Sequence, residues 1–184
     1  MRLFVAIELS DEVRSGLAKV QKDLAATCDG VRWIPSHQLH LTAKFLGEVP
    51  DRDVAKVGEA IAQAAAGSAP FDMEIADCGC FPPRGPVRIV WVGANETTGA
   101  LAGCVEAVET ELGRLGFPKE RKRFSPHITI GRVREDRSGG CLRAAVEAHS
   151  FSSMQASISF ITLMSSVLSP KGPTYTPVRK ADLG

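Results

Sequence analysis

The residues of this sequence best suited to chemistry are two copies of a His-x-Thr triplet, each set in a run of alternating polar and apolar residues. The first is His40-Leu41-Thr42, within HLTAKFLG, and the second is His127-Ile128-Thr129, within HITIGR. The chain has four His and nine Thr, and two such triplets would arise by chance in roughly 1–2% of chains of this composition. Alternation with a period of two predicts a half-buried strand, in which His and Thr share one face and the apolar residues turn to a core.

A pair of His side chains on rigid strands is suited to acid–base catalysis. The unperturbed imidazole pKa, about 6.5, allows one ring to be neutral and another protonated near neutral pH. The neutral ring takes a proton from an attacking oxygen, the protonated ring gives one to a departing oxygen, and each transfer contributes roughly 10²–10⁴ in rate. The Thr hydroxyls, two residues further along each strand, are placed to donate hydrogen bonds to charged phosphoryl oxygens. The four side chains suffice for cleavage of a phosphodiester.

The composition is that of an ordinary soluble globular protein. The chain has 184 residues, 44% hydrophobic and 23% charged, with a formal net charge of +1. A nearly neutral molecule exerts no strong overall attraction on nucleic acid, so a polyanion site must be a local cluster. The five Cys lack paired C-x-x-C spacing, which favours free thiols over a zinc site. The first apolar run is broken by Glu8, too early for a signal peptide or a membrane span, so a cytoplasmic protein is expected.

Local signals predict alternating strands and helices along the whole chain. From the N-terminus these are a strand at 2–9, a helix from Ser10 or Asp11 to about Cys28, an extended piece at 31–35, the His40 strand ending near Gly47, a helix from Asp51 or Asp53 to about Ala66, strands at 71–81 and 87–93, a helix at 98–116, the His127 strand, a helix at 140–149, and strands at 151–156, 157–168 and 175–178. Pro and Gly in the loop at 82–86 exclude regular structure there.

The predicted elements repeat. Each half of the chain follows the order strand, helix, H-x-T strand, helix, strand, and the strand at 87–93 opens the second copy. This pattern predicts an α+β fold with two pseudo-symmetric lobes, each a mostly antiparallel sheet backed by helices, with the active site in the cleft between them. No stretch of linker composition separates the halves, so residues 1–184 are expected to form a single bilobal domain.

Several segments of the chain carry a family resemblance. They are MRLFVAIEL, VRWIP, LHLTAKFLGEV, GCFPPRG, VWVG, RFSPHITIGRVR and LSPKGPTYTPV, in that order. In these segments the chain resembles the bacterial and archaeal RNA 2′,3′-cyclic phosphodiesterases, also called 2′-5′ RNA ligases, of the two-histidine phosphoesterase superfamily. Ala43 and Gly131 stand where bulkier apolar residues are commoner in that family, a departure that affects no chemical role.

The resemblance implies a reaction and a set of roles. The reaction is hydrolysis of a 2′,3′-cyclic phosphate at an RNA end to a 2′-phosphomonoester, without a metal or other cofactor, and the family is also described as joining RNA halves through a 2′-5′ linkage. His40 is then the proton donor, His127 the proton acceptor, and Thr42 and Thr129 hold the phosphate. Pseudo-symmetry leaves the exchange of the two His roles open at the level of sequence. The expected partners are RNA ends such as those of tRNA halves, and the protein is expected to be a monomer without a membrane contact.

Basic residues near the two motifs are candidates for holding phosphate. Lys44 shares the His40 face under strict alternation and is the stronger candidate for an anion contact. The same rule places Arg132 on the face opposite His127, unless the strand twists or ends by Gly131. The basic run Arg121, Lys122 and Arg123 leads into the His127 strand and either holds RNA phosphates or forms a solvated surface.

Aromatic residues are candidates for stacking a terminal base. They are Trp33, Phe81, Phe124 and Tyr175. Most aromatic rings in a chain of this kind lie in the core, so each has a structural alternative.

Two other functions share the same sequence features. The first is a phosphodiesterase acting on small cyclic nucleotides or on 2′-5′ oligonucleotides, which the same four side chains would serve. The second is a module that binds RNA ends without turnover. Parallel assays on substrates of both sizes separate the first from the leading hypothesis, and multiple turnover excludes the second.

Overall fold

The computed structural model describes residues 1–120, 123–170 and 172–184. Its helices are α1 (Asp11–Ala25), α2 (Val54–Ala66), α3 (Ala100–Arg114) and α4 (Cys141–Ala148). Its strands are β1 (Arg2–Glu8), β2 (Val31–Trp33), β3 (His40–Glu48), β4 (Phe71–Phe81), β5 (Ile89–Asn95), β6 (His127–Val133), β7 (Met154–Ile158), β8 (Phe160–Ser169) and β9 (Gly172–Asp182). The predicted α+β class is confirmed, and no helix within these ranges is long and apolar enough to span a membrane.

Helix α1 shows how the local sequence sets an element and its packing. Ser10 Oγ accepts a hydrogen bond from the backbone N–H of Val13 at 3.3 Å, which caps the helix as its sequence predicts. Gly16 allows close approach to β7, because a Cβ there would lie 2.2 Å from Met154 Sδ. The predicted apolar stripe is buried, and it comprises Val13, Leu17, Val20 and Leu24.

The strands form one antiparallel sheet in the order β7-β4-β5-β6-β3-β1-β8-β9, with β2 paired to β6. The two H-x-T strands, β3 and β6, are neighbours at its centre, and the residue pair that joins them is Leu41 with Ile128. Both side chains are fully buried beneath the helices. The two predicted lobe sheets are therefore continuous with each other at this contact.

The two lobes are not the two halves of the sequence. The first lobe consists of β3, β1, β8 and β9, against which α2 and α3 pack. The second consists of β6, β5, β4 and β7, against which α1 and α4 pack. The first half of the chain therefore sends α1, β2 and β4 to the second lobe, and the second half sends α3, β8 and β9 to the first. The exchange is reciprocal, as a pseudo-twofold repeat requires.

Strand β9 extends further than its sequence predicts. Its residues pair with β8 from Gly172 to Asp182, whereas only 175–178 is predicted as a strand. The strand contains Pro173 and Pro177, although a proline has no N–H to give to a sheet. At the edge of the sheet one side of the strand needs no partner, so both prolines are accommodated.

Strand β3 carries a β-bulge directly after its H-x-T motif. Ala6 of β1 faces Thr42, and the preceding β1 residue, Val5, faces Lys44, which leaves Ala43 as the extra residue. A bulge shifts the alternation of side chains by one position for the residues beyond it. The predicted faces are therefore correct up to Ala43, which is buried as expected, and wrong at Lys44 and Phe45.

The bulge exchanges the positions of Lys44 and Phe45. Phe45 was expected in the core, but it lies opposite Phe4 on the His40 face and is 61% exposed. Lys44 was expected on the His40 face as an anion contact, and this prediction is wrong because its side chain points into the protein and is 3% exposed. Its Nζ donates hydrogen bonds to Glu109 Oε2 at 2.7 Å and to the Pro118 carbonyl at 2.8 Å.

Strand β6 has a bulge at the equivalent position. Trp91 of β5 faces Thr129, and the preceding β5 residue, Val90, faces Gly131, so Ile130 is the extra residue. The shift buries Gly131 and turns the next residue, Arg132, to the His127 face, where it is exposed. The bulge thus provides the change in strand geometry that was expected to be necessary for Arg132 to reach a phosphate.

Buried polar contacts hold the second bulge in place. Gln21 of α1 donates one side-chain hydrogen bond to the Ile130 carbonyl at 2.8 Å and another to the Ile34 carbonyl at 2.7 Å. A Cβ on Gly131 would lie 2.5 Å from Val31 Cγ1, so glycine is required where β2 pairs with β6.

Substitution of Lys44 is expected to lower stability rather than substrate affinity. In Lys44→Met the Glu109 carboxylate stays buried without its partner, which costs about 3–5 kcal/mol of unfolding free energy. In the double variant Lys44→Met/Glu109→Leu no charge is left buried, and most of that loss should be recovered. Urea unfolding of the wild type, Lys44→Met, Glu109→Leu and the double variant gives the four unfolding free energies of this double-mutant cycle.

Kinetics on the same four proteins test the location of Lys44. A variant with unchanged unfolding free energy but a raised KM for a phosphodiester would restore Lys44 as an anion contact.

Candidate active site

The two H-x-T motifs meet on the face of the sheet opposite the helices, which we call the open face. Leu41 and Ile128 point to the core, so the residues on either side of each point to the open face. In the antiparallel register set by this pair, His40 lies toward Thr129 and His127 toward Thr42. The four side chains, predicted from two separate stretches of sequence, thus form one compact group, and each is half-buried.

Each His ring is fixed by a carbonyl two residues earlier in the chain. His40 Nδ1 lies 2.8 Å from the Gln38 carbonyl, and His127 Nδ1 lies 2.8 Å from the Ser125 carbonyl. A carbonyl only accepts, so Nδ1 carries the hydrogen in both rings. The Nε2 atom of each ring is then an acceptor when the ring is neutral and a donor when it is protonated. Either ring is therefore equipped to be an acid or a base.

The Thr hydroxyls are available to a ligand. Among the described residues, no hydrogen bond is made by the hydroxyl of Thr42 or Thr129. Each lies two residues beyond its His and before the bulge, so it shares the open face with the imidazole.

Aromatic rings surround the two imidazoles unequally. His40 lies 5.0 Å from Phe4 and 5.2 Å from Tyr175, between ring centroids, with Tyr175 edge-on. His127 lies 5.1 Å from Phe81, edge-on, and Phe81 in turn lies 5.4 Å from Trp91. Two predicted stacking candidates, Tyr175 and Phe81, are therefore beside the motifs.

The environment of His40 shifts its ionisation. Burial, which penalises the charged ring, lowers the pKa of His40, and the positive charges of Arg132 and Arg14 lower it further. The hydrogen bond to the Gln38 carbonyl and the negative charge of Glu8 act in the opposite direction. The net direction is downward, so the free protein favours the neutral imidazole at this position.

Arg132 is the basic side chain that the structure brings to the open face. Its positive charge acts on both His40 and Tyr175, so the guanidinium lies within electrostatic range of both side chains. Burial raises the pKa of Tyr175, so its hydroxyl is neutral at ordinary pH and is available as a hydrogen-bond donor.

Other predicted substrate contacts are placed less favourably. Arg123 is exposed in the segment that precedes His127, whereas Arg121 and Lys122 lie outside the described residues. Phe124 and Trp33 pack against the main core, which explains their apolar character without a bound base.

The sequence did not reveal Phe45 as a residue of this site. Its ring is exposed on the open face, 6.1 Å from Phe4 between centroids, and so continues the aromatic surface beside His40. Strict alternation assigned it to the core. No signal in this strand alone could have placed Phe45 on the open face, because a bulge is a property of a strand pair.

The described residues contain no group of three or more His, Cys, Asp or Glu side chains arranged to hold a metal ion. All five Cys are free thiols, and three of them are buried. Burial raises the pKa of the Cys78 thiol to about 12 and that of Cys80 to about 11, so neither is a thiolate nucleophile near neutral pH.

Comparison with known proteins identifies similar chains of the same length. The RNA 2′,3′-cyclic phosphodiesterase of Archaeoglobus fulgidus is 33% identical over 180 residues, which cover 97% of this chain and 98% of that protein. The enzyme of the same name from Methanocaldococcus jannaschii is 32% identical, with 98% of this chain and 99% of that protein covered.

Solved structures show the same fold. The protein TT0787 of Thermus thermophilus matches with a TM-score of 0.81 and 30% identity, covering 100% of this chain and 98% of that one. Escherichia coli LigT, solved with 3′-AMP, matches with a TM-score of 0.75 and 24% identity, covering 99% and 97%.

A family model for LigT-like phosphoesterases matches the chain twice, over residues 7–91 and 92–175, so that each match contains one H-x-T strand. The repeat inferred from the sequence and the reciprocal lobes of the structure agree with this double match. The chain belongs to the LigT-like phosphoesterase family.

Proposed function

We propose that the protein hydrolyses 2′,3′-cyclic phosphates at RNA ends to 2′-phosphomonoesters, with the two imidazoles as a metal-independent acid–base pair. The observation that carries this proposal is the convergence of two H-x-T motifs on one open face, each His held by a carbonyl so that its Nε2 faces outward. The names and the identity of the archaeal relatives support the same substrate.

The geometry supports an in-line displacement at phosphorus. Neutral His127 takes a proton from water at Nε2 as the water oxygen bonds to phosphorus. The bond from phosphorus to the 3′-oxygen breaks, and protonated His40 gives its Nε2 proton to that oxygen. Thr42 and Thr129 donate to the non-bridging oxygens as their charge grows. A 5′-hydroxyl in place of water would give a 2′-5′ linkage by the same transfers.

Substrate contacts follow from the residues around the pair. Arg132 is proposed to hold a phosphate, and Tyr175 and Phe45 are proposed to hold the base of the terminal nucleotide. Arg123 is placed to meet an RNA strand that approaches from the His127 side. We further propose that the 184 residues act as one bilobal, monomeric unit, and that RNA ends such as those of tRNA halves are its substrates.

The direct test is turnover of an oligonucleotide ending in a 2′,3′-cyclic phosphate. We expect a 2′-phosphate product, identified by ³¹P NMR, at a rate unchanged by exhaustive chelation. Parallel reactions use a small 2′,3′-cyclic nucleotide and a 2′-5′ dinucleotide. Preference for either small substrate would replace the RNA end as the substrate, and binding without turnover would leave only an RNA-end binding module.

Replacement of the motif residues should separate proton transfer from charge stabilisation. His40→Ala and His127→Ala should each lower kcat by roughly 10²–10⁴, and the double variant by less than the product, because the pair acts as a unit. Thr42→Ala and Thr129→Ala should cost on the order of 10–10³. His37→Ala, an exposed His on the 3₁₀ turn before β3, is the matched control. Near wild-type turnover in either motif His variant contradicts the mechanism.

The aromatic surface should contribute to nucleotide affinity. Stacking of one base on a ring is worth about 1–3 kcal/mol, so Phe45→Ala and Tyr175→Ala should each raise KM for the oligonucleotide about tenfold. The same variants should leave hydrolysis of a cyclic phosphodiester without a base unchanged. Val167→Ala removes an exposed apolar side chain of the β8 end and serves as the control. Equal losses on both substrates would show that the rings act on the imidazole rather than on a base.

The leaving group distinguishes the two His. With sulfur in place of the 3′-oxygen the departing group needs no protonation, so loss of the acid becomes nearly harmless while loss of the base stays costly. We expect the 3′-thio substrate to rescue His40→Ala and not His127→Ala. The reverse pattern would exchange the two roles.

A further inference from the structure

The two imidazoles differ in the residue that faces each across the neighbouring strand. Glu8, the last residue of β1, is paired with His40, and Gly93 of β5 is paired with His127. The two positions are equivalent in the repeat, because β1 flanks β3 as β5 flanks β6. The otherwise symmetric site therefore has a carboxylate beside one ring.

The Glu8 carboxylate is held in a fixed position. Thr162, fully buried in β8, donates its hydroxyl to Glu8 Oε1 at 2.5 Å. Arg14 of α1 places Nη2 3.8 Å from Glu8 Oε2, and the Glu8 side chain is 25% exposed. The negative charge of a carboxylate fixed in this way favours the imidazolium of His40.

No side chain fits at the equivalent position of the second lobe. A Cβ on Gly93 would lie 2.8 Å from the Ala76 carbonyl oxygen, a distance that real Cβ atoms do not show. Packing of β4 against β5 thus excludes a carboxylate beside His127. The asymmetry is set by backbone geometry, not only by the choice of one residue.

The positively charged groups that face His40 oppose its protonation, whereas the Gln38 carbonyl bonded to Nδ1 favours it. Arg132 from β6 and Arg14 from α1 are positive, Tyr175 from β9 is neutral, and the second titratable ring of the site, His127, lies on the adjacent strand. Burial acts in the same direction as the arginines. Among the charged groups that act on His40 in the described chain, Glu8 is the one that favours the imidazolium.

We propose that Glu8 is a positioning residue that stabilises the imidazolium form of His40 against the nearby arginines, and so directs His40 to the acid role and His127 to the base role. The kinetic part rests on the proposed function. The ionisation of His40 does not, and it is measurable in the ligand-free protein.

Replacement Glu8→Gln tests the direction in which Glu8 shifts the protonation of His40. Removal of the negative charge lowers the proton affinity of His40, because a nearby opposite charge favours the imidazolium. If His40 must be protonated, kcat/KM should fall about tenfold on the alkaline side of the pH profile, and the two proteins should converge at acid pH. If His40 must be neutral, Glu8→Gln should instead accelerate the reaction on the acid side.

Two further variants guard against a structural artefact. Arg14→Gln removes a charge that opposes protonation, so it should raise the His40 titration midpoint and increase alkaline kcat/KM. Glu8→Asp keeps the carboxylate and should restore most of the wild-type profile. As a control, Glu48→Gln makes the same charge change at the exposed far end of β3, and it should leave both the midpoint and the profile unchanged.

The readouts are the pH profile of kcat/KM and the His40 midpoint from ¹H NMR of the imidazole. Support requires a lower midpoint in Glu8→Gln, a higher one in Arg14→Gln, and a loss confined to alkaline pH. An unchanged midpoint in folded Glu8→Gln overturns the positioning role, and acid-side acceleration overturns the assignment of the acid. If Glu8→Gln does not fold, an unchanged Arg14→Gln midpoint overturns the proposal. Absence of turnover in every protein, with the midpoints shifted as expected, would remove the proposed function alone.

Discussion

The site depends on the pairing of Leu41 with Ile128. This contact aligns two strands from distant parts of the chain, and both side chains are fully buried, so it also anchors the site to the core. Because alternation then turns the neighbours of both residues outward, one buried apolar pair determines where four polar side chains lie. A slip of either strand by one residue would bury its His and Thr beneath the helices.

The sequence was most informative where alternation was undisturbed. His40 to Thr42 and His127 to Thr129 lie on the predicted faces, and the helices end within a few residues of their expected positions. The positions of Lys44, Phe45 and Arg132 were beyond such reasoning, because a bulge is a property of a strand pair and the sequence of one strand does not specify it. The unequal surroundings of the two His rings were also hidden, since they depend on β1 and β5.

Polar groups buried behind the sheet stabilise the bulges that shape the open face. Lys44 joins the first bulge to α3 through Glu109 and to the segment before His127 through the Pro118 carbonyl. Gln21 joins the second bulge to α1. These groups make their hydrogen bonds in the interior, where loss of one partner is costly, and they support the strand geometry on which the proposed site depends.

The crossing of α1 and α3 between the lobes has a consequence for the origin of the fold. Either half of this chain, on its own, would lack the strands against which its first helix packs, because those strands belong to the other half. Two copies of such a half would complete each other, each covering the other's strands, as in a domain-swapped homodimer. In such an ancestor both imidazoles would have been chemically identical. Fusion of two such copies into one chain would free the two sites to differ, as Glu8 and Gly93 now do at equivalent positions.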